Sequence, residues 1–164
     1  MPDNRLQRLV NAVKLRFQAI RIANGYNSDL GLRVHLWRDS EAVPFQDDEL
    51  PALNFRDKSA EVEQRLSGIH DHEITFEVDV ITNKFTLDHE ARRLLADVIQ
   101  AIGVDRQWTE PTDDPEVTPI KLAVDTLPVR WEFGVTATGK ALAGCRYVFM
   151  VRQRTRSFDP YTTQ

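Results

Sequence analysis

The sequence predicts an α+β fold: a mixed, mostly antiparallel β-sheet with two main helices packed against it. Three observations carry this. The stretch His72 to Val80 alternates strictly, with Ile74, Phe76, Val78 and Val80 on one parity and Glu73, Thr75, Glu77 and Asp79 on the other. In a strand these sets point to opposite faces, so one face covers a core and the other is acidic. Two other stretches repeat apolar residues at helical spacing. The order of elements is helix, strands, helix, strands, which suits helices packed on a sheet and does not suit a βαβαβ dinucleotide-binding fold.

The elements follow in order. Leu6, Leu9, Val10, Val13, Phe17 and Ile20 form one stripe of a first helix, capped by Asp3 or Asn4 and ended by Asn24-Gly25. Leu30, Leu32, Val34 and Leu36 alternate, so Leu30 to Trp37 reads as a strand. The polar run 38–49 reads as a loop, and Leu50 to Phe55 as a short strand with Pro51 at its edge or start. Residues 56–71 are polar and fit either a short helix or an excursion between strands. After the acidic-faced strand, Thr86 caps a second helix, buried through Leu87, Ala91, Leu94, Leu95, Val98 and Ile102 and closed by Gly103.

Residues 104–119, with three prolines and several acids, read as an exposed loop whose Trp108 is either an anchor or an interface residue. Loops 38–49 and 104–119 are expected to be loosely held, having few apolar anchors. Ile120, Leu122 and Val124 mark a short strand, and Val129, Trp131, Phe133 and Val135 the next. A linker from Thr136 to Gly144 leads to a strand from Cys145 to Thr155 with Tyr147, Phe149 and Val151 on one face. Residues 1–156 thus read as one domain and 157–164 as a short polar tail.

Composition narrows the function. The 164 residues are 41% hydrophobic and 28% charged, ordinary values for a globular chain with a real core. A net charge of −4 and a pI near 5.6 give no general reason to expect nucleic-acid binding. Cys145 is alone, so no intrachain disulfide forms. No apolar run approaches the ~18 residues of a membrane span, and the opening Met-Pro-Asp-Asn-Arg lacks the apolar core of a signal peptide. The expectation is a soluble protein, made and used without secretion and without membrane contact.

Candidate chemistry is sparse. His70 and His72 alternate on one strand face, with Asp71 or Glu73 nearby, but a catalytic zinc site needs a third protein ligand. His35 and His89 are not brought near by anything in the sequence, so the pair reads first as a polar strand start. Cys145 sits in an apolar run and reads as core. No phosphate-binding glycine loop, zinc-protease helix or nucleophile elbow is present. No catalytic, cofactor-binding or metal residue is assigned, no cofactor is expected, and the chain is not read as an enzyme.

One charge pattern stands out. Arg146, Arg152, Arg154 and Arg156 share a parity on the closing strand, as Glu73, Glu77 and Asp79 do on the central one. Two readings stay open. The stripes are solvated faces, paired across strands for ~0.2–1 kcal/mol each. Alternatively Glu73, Glu77, Asp79, Arg152, Arg154 and Arg156 form complementary surfaces between subunits, or the arginines a basic rim near DNA.

Taken in order, several segments resemble the tail terminator proteins of long-tailed bacteriophages, a head–tail joining family. These are the first helix, Gly25-Tyr26-Asn27-Ser28-Asp29-Leu30-Gly31, Leu50-Pro51-Ala52-Leu53, the strand His72 to Val80, and the helix Ala91 to Gly103 with Leu94-Leu95-Ala96-Asp97-Val98. The run from Ala143 to Val151 and Asp159-Pro160-Tyr161 are also similar. The resemblance spans most of the chain and rests on the order and character of segments. It implies a small α+β subunit of a hexameric ring that caps the tail tube, stops tube polymerisation and presents the surface to which the head connector binds. It implies no enzymatic activity and no cofactor. The partners would be further copies of the chain, the tail tube protein and the head–tail connector, with DNA only passing through the ring lumen. The place would be the head-proximal end of the virion tail, and the host cytoplasm during assembly. The alternatives are another head–tail neck or completion protein and, from a different class, a metal-dependent hydrolase using His70 and His72.

Overall fold

Five strands in the spatial order β1-β2-β3-β5-β4 carry two helices on one face, in a computed structural model that describes residues 3–65, 68–83, 87–110, 112, 115–136, 142–156 and 159. The strands are β1 (Val34–Leu36), β2 (Ala52–Arg65), β3 (Ile69–Asn83), β4 (Asp125–Thr136) and β5 (Leu142–Arg156); the helices are α1 (Arg5–Gln18) and α2 (Leu87–Gly103). Only β1 and β2 pair in parallel; the other three pairings are antiparallel. The chain therefore adopts the α+β architecture that its patterning predicts.

The core lies between the helices and one sheet face. Ile74, Phe76, Val78 and Val80 of β3 are buried there, as the alternation requires, beside Tyr147, Phe149 and Val151 of β5. Phe76 stacks on Phe149 with ring centroids 5.2 Å apart, and Phe17 of α1 meets Phe55 of β2 edge-on at 5.4 Å. From α2, Ala91, Leu94, Leu95, Val98, Ala101 and Ile102 complete the layer. The cap read at Thr86 lies outside the described residues.

Asn4 caps α1, its side chain accepting from the Gln7 N–H at 2.8 Å. Arg5 on the first turn is buried, its guanidinium donating to the carbonyls of Arg154 (2.6 Å) and Lys121 (2.9 Å). Leu6, placed in the buried stripe by spacing, is largely exposed. The helix also ends earlier than Asn24-Gly25: it stops at Gln18, and a separate 3-10 turn, Ile22–Asn24, runs up to Gly25 at φ 87°. Asn24 donates to the orphan Ala19 carbonyl at 2.8 Å, so that residue closes the helix from a distance.

The segment after Gly25 is tied to α2. Asp97, fully buried, accepts from the Asn27 N–H (3.0 Å), the Asn27 amide (2.8 Å) and the Ser28 hydroxyl (2.6 Å). These bonds satisfy a carboxylate that has been taken out of water.

Several boundaries depart from the sequence reading. Leu30–Leu32 is a 3-10 turn, and the strand is only Val34–Leu36, because Gly31 lies against the end of α1; a Cβ there would sit 2.5 Å from the Gln18 carbonyl oxygen. The polar residues 56–65 are neither helix nor excursion but the far half of β2, and β3 begins at Ile69. Leu122 is buried, yet the run from Ile120 to Val124 forms only a bridge, Thr109 with Lys121. Gly144 belongs to β5 and Thr136 to β4, so the linker read between them is shorter.

Both loops read as loosely held have a buried aromatic anchor. Phe45 fills a small second core with Leu50 and Ala52 on the opposite sheet face, under the Arg38 guanidinium. Trp108, at φ 52°, is wholly buried and donates to the Thr126 hydroxyl at 2.8 Å. It is an anchor within the core of the chain.

Candidate assembly interface

The two charge stripes meet each other within one chain. The register places Asp71 opposite Arg154, Glu73 opposite Arg152 and Asp79 opposite Arg146 on neighbouring strands β3 and β5. Arg146 holds Asp79 through two bonds of 2.6 and 3.1 Å, Arg152 holds Glu73 at 2.5 Å, and Arg154 holds Asp71 at 2.7 and 3.0 Å. From the other side, Arg56 of β2 donates to Glu77 at 2.9 Å and Arg65 reaches Asp71 at 2.6 Å. Arg156, at the end of β5, is exposed.

The electrostatics follow from this ladder. The Arg154 guanidinium holds the Asp71 carboxyl below its usual range, although burial opposes it. For Glu77, burial acts upward most strongly, and Arg56, Arg146 and Lys58 together outweigh it, so the net shift is down. Asp71 and Glu77 are thus both held toward the charged form, and each of the four β3 carboxylates Asp71, Glu73, Glu77 and Asp79 meets an arginine. The more open of these pairs, Arg152 with Glu73, contributes ~0–1 kcal/mol. A matched ladder offers a second subunit little unmet charge.

The remaining sequence candidates fall as follows. The rings of His70 and His72 lie 6.3 Å apart on one face, and His72 Nε2 is 2.9 Å from the Thr155 hydroxyl. Burial, then His70, lowers the His72 pKa. Among the described residues no three His, Cys, Asp or Glu side chains converge as a metal-binding group. Cys145 is buried, its thiol pushed up to about 12 by burial and by Asp79, and it approaches only the Ala91 carbonyl, at 3.9 Å. A thiol so held is a core residue and a poor nucleophile.

No family model matches the chain, and no curated protein matches it.

Unmet bonding capacity lies at the sheet's edges. β4 is one outer strand. Arg106 covers its beginning, donating to the Thr126 carbonyl at 3.1 Å. From Arg130 to Thr136, no hydrogen bond among the described residues reaches its outer side. Its apolar residues are not core: Val129, Trp131 and Phe133 are 53%, 57% and 42% exposed. Trp131 and Phe133 lie on the helix-bearing side, since Trp131 is opposite Tyr147 and Phe133 opposite Cys145, but outside the buried layer. Trp131 meets Phe133 edge-on with ring centroids 5.4 Å apart, and the Arg92 guanidinium of α2 stands over Phe133, 5.9 Å from its centroid.

The other edge is unusual. β1 covers β2 only over Leu53–Phe55. Trp37, at φ 57° and 56% exposed, then turns the chain away, with its indole N–H on Asp57 at 2.8 Å. From Arg56 to Arg65 the outer side of β2 is open among the described residues, and Lys58 to Arg65 are exposed on both faces. Leu36 and Val43 are also exposed near this edge. Sequence reasoning misses both edges, because periodicity reveals which side chains share a face and not which strand lies outermost. Pro128 inside β4 and Pro51 just before β2 are the signals that point to edges.

Proposed function

We propose that this chain is an assembly subunit of the tail-terminator kind. Copies close into a ring, which caps the tail tube, halts tube growth and presents the surface to which the head connector docks. The observation that carries the reading is the pair of open sheet edges on opposite sides of one subunit, each with exposed aromatic or aliphatic side chains. Long bare edges are a hazard that single-chain proteins blunt. A subunit that keeps two of them has a use for them. Different patches on opposite sides make a head-to-tail contact, and such contacts generate rings when the rotation closes. The order of segments that resembles tail terminators supports the same reading, and the matched ladder leaves recognition to the edges. DNA enters the reading only as passing through the ring lumen, and the place is the head-proximal end of the tail.

Electron microscopy of the purified protein, alone and mixed with tubes of the same phage's tail protein, tests this. Rings in the free sample, and rings seated on one tube end with elongation stopped, are the expected result. A protein that stays monomeric and leaves tube growth unaltered would overturn the reading.

A further inference from the structure

Resting on the ring reading, we infer that the partner of the β4 edge is the open half of β2 in the next copy, joined as an antiparallel strand so that one sheet continues from subunit to subunit. Direction comes first. Three successive antiparallel pairings, β2 with β3, β3 with β5 and β5 with β4, leave β4 running opposite to β2. Rotation about an axis along the strands preserves strand direction. The next copy's β2 therefore meets β4 antiparallel, with no rearrangement of either.

Space comes second. The open half of β2 begins where Trp37 takes β1 away, so an incoming strand would lie end to end with β1. In the register that follows, Val129 to Phe133 of β4 lie opposite Val62 to Lys58, inside the open stretch of β2 and short of Phe55, where β1 pairs.

Chemistry fixes the register. Beyond the bulge at Lys58, Ala60 and Val62 pair with Ile74 and His72, so they lie on the helix-bearing side, while Ser59 and Glu61 lie on the charged side. On β4, Trp131 is on the helix-bearing side, and Arg130 and Glu132, opposite Val148 and Arg146, are on the charged side. Placing Trp131 opposite Ala60 sets the large ring against the small residue. It brings the bulge residue Val129, 53% exposed, alongside Val62, 56% exposed. It sets Arg130 opposite Glu61, and Glu132 opposite Ser59 beside Lys58. Phe133 then approaches Trp37. Both faces of the sheet keep their character across the junction, as a continuous sheet requires.

The test exchanges charges. Arg130→Glu and Glu61→Arg are made singly and together, and assembly is followed by light scattering and sedimentation, with thermal melts confirming the fold. Each single change is expected to raise the concentration of half-assembly about tenfold or more, and the double change to restore it. A second arm replaces Trp131 and Ala60 by cysteine and oxidises the protein. Directly opposed positions lie close enough to bridge. The double variant is expected to give a ladder of linked copies on a non-reducing gel, and neither single variant any ladder.

Rings that form normally in both charge variants would overturn the pairing and leave the ring reading standing. Disulfide dimers from Trp131→Cys alone would show β4 meeting β4 across a two-fold axis, and would also overturn it. Absence of any assembly in the unaltered protein would overturn both.

Discussion

At the scale of single residues, burial decides which substitutions matter. Phe76 is fully buried, stacked on Phe149 in the middle of the sheet. Phe76→Ala is expected to cost about 3–5 kcal/mol in urea unfolding. A loss below about 1 kcal/mol would contradict its place in the core. Asp71 tests the ladder differently. Its side chain is 1% exposed and lies between Arg154 and Arg65. A carboxyl whose folded pKa is depressed stabilises the fold above its unfolded pKa, and the stabilisation disappears as pH falls through the folded value. Thermal stability is therefore expected to fall with acid below the ordinary carboxylate range, through Asp71 and Glu77 together. Asp71→Asn should lower stability at neutral pH by about 1–3 kcal/mol, since it weakens bonds to two guanidiniums that remain partly solvated, and should flatten the acid slope. An unchanged slope would mean the acid transition belongs to other groups. Single residues were also where the sequence was least readable. Trp108 and Trp37 both adopt positive φ, one wholly buried and one mostly exposed. Nothing in the residue type separates an anchor from an edge.

Among elements, legibility followed amphipathicity. β3 and α2 have one apolar and one polar face, so spacing alone reveals them. The far half of β2 has no such contrast, because Lys58 to Arg65 meet solvent on both sides, and a strand without a buried face leaves no period to read. Leu30 to Leu36 misleads in the opposite way: an alternating run begins as a 3-10 turn because close packing on α1 takes precedence over local pattern. The candidate site shares this weakness. The charge stripes were legible, since their parity is in the sequence. Their pairing inside one chain was not, since it depends on β5 lying beside β3. At that contact Gly144 offers a direct check. A Cβ on Gly144 would lie 2.3 Å from the Val80 carbonyl oxygen, which is backbone and has nowhere to move. Gly144→Ala is expected to cost about 1–3 kcal/mol through forced separation of the two strands, measured by chemical denaturation. Stability equal to the parent would mean that β5 shifts freely along β3.

For the molecule as a whole, the balance of charge and edge predicts how assembly responds to solution conditions. The ladder is matched within the chain, while the proposed junction has an apolar centre flanked by Arg130, Glu61 and Glu132, with Lys58 shared with Glu77 of the ladder. Screening acts on the flanks, over a Debye length of about 8–10 Å at moderate salt. Rising salt should therefore slow ring formation more than it weakens finished rings, because apolar contact and strand pairing hold the closed form. Stopped-flow scattering at several ionic strengths checks this. Finished rings that dissolve readily in moderate salt would indicate a junction held by charge.

The position of β5 has a consequence for how the protein is made. It is the latest of the strands in sequence, yet it lies between β3 and β4 and supplies β4 with its sole neighbour. A growing chain that has emerged only as far as Thr136 carries both helices and four strands, but β3 still shows an unfilled side and β4 pairs with nothing. Contacts this distant in sequence form slowly, after the intervening loops have closed. The β4 edge proposed for the junction is thus not fixed in place until synthesis has passed Arg156. On the proposed ring reading, topology alone would keep unfinished chains from joining. A chain cut after Ala141 should be open to protease throughout, and should fail to poison assembly when mixed with the intact protein.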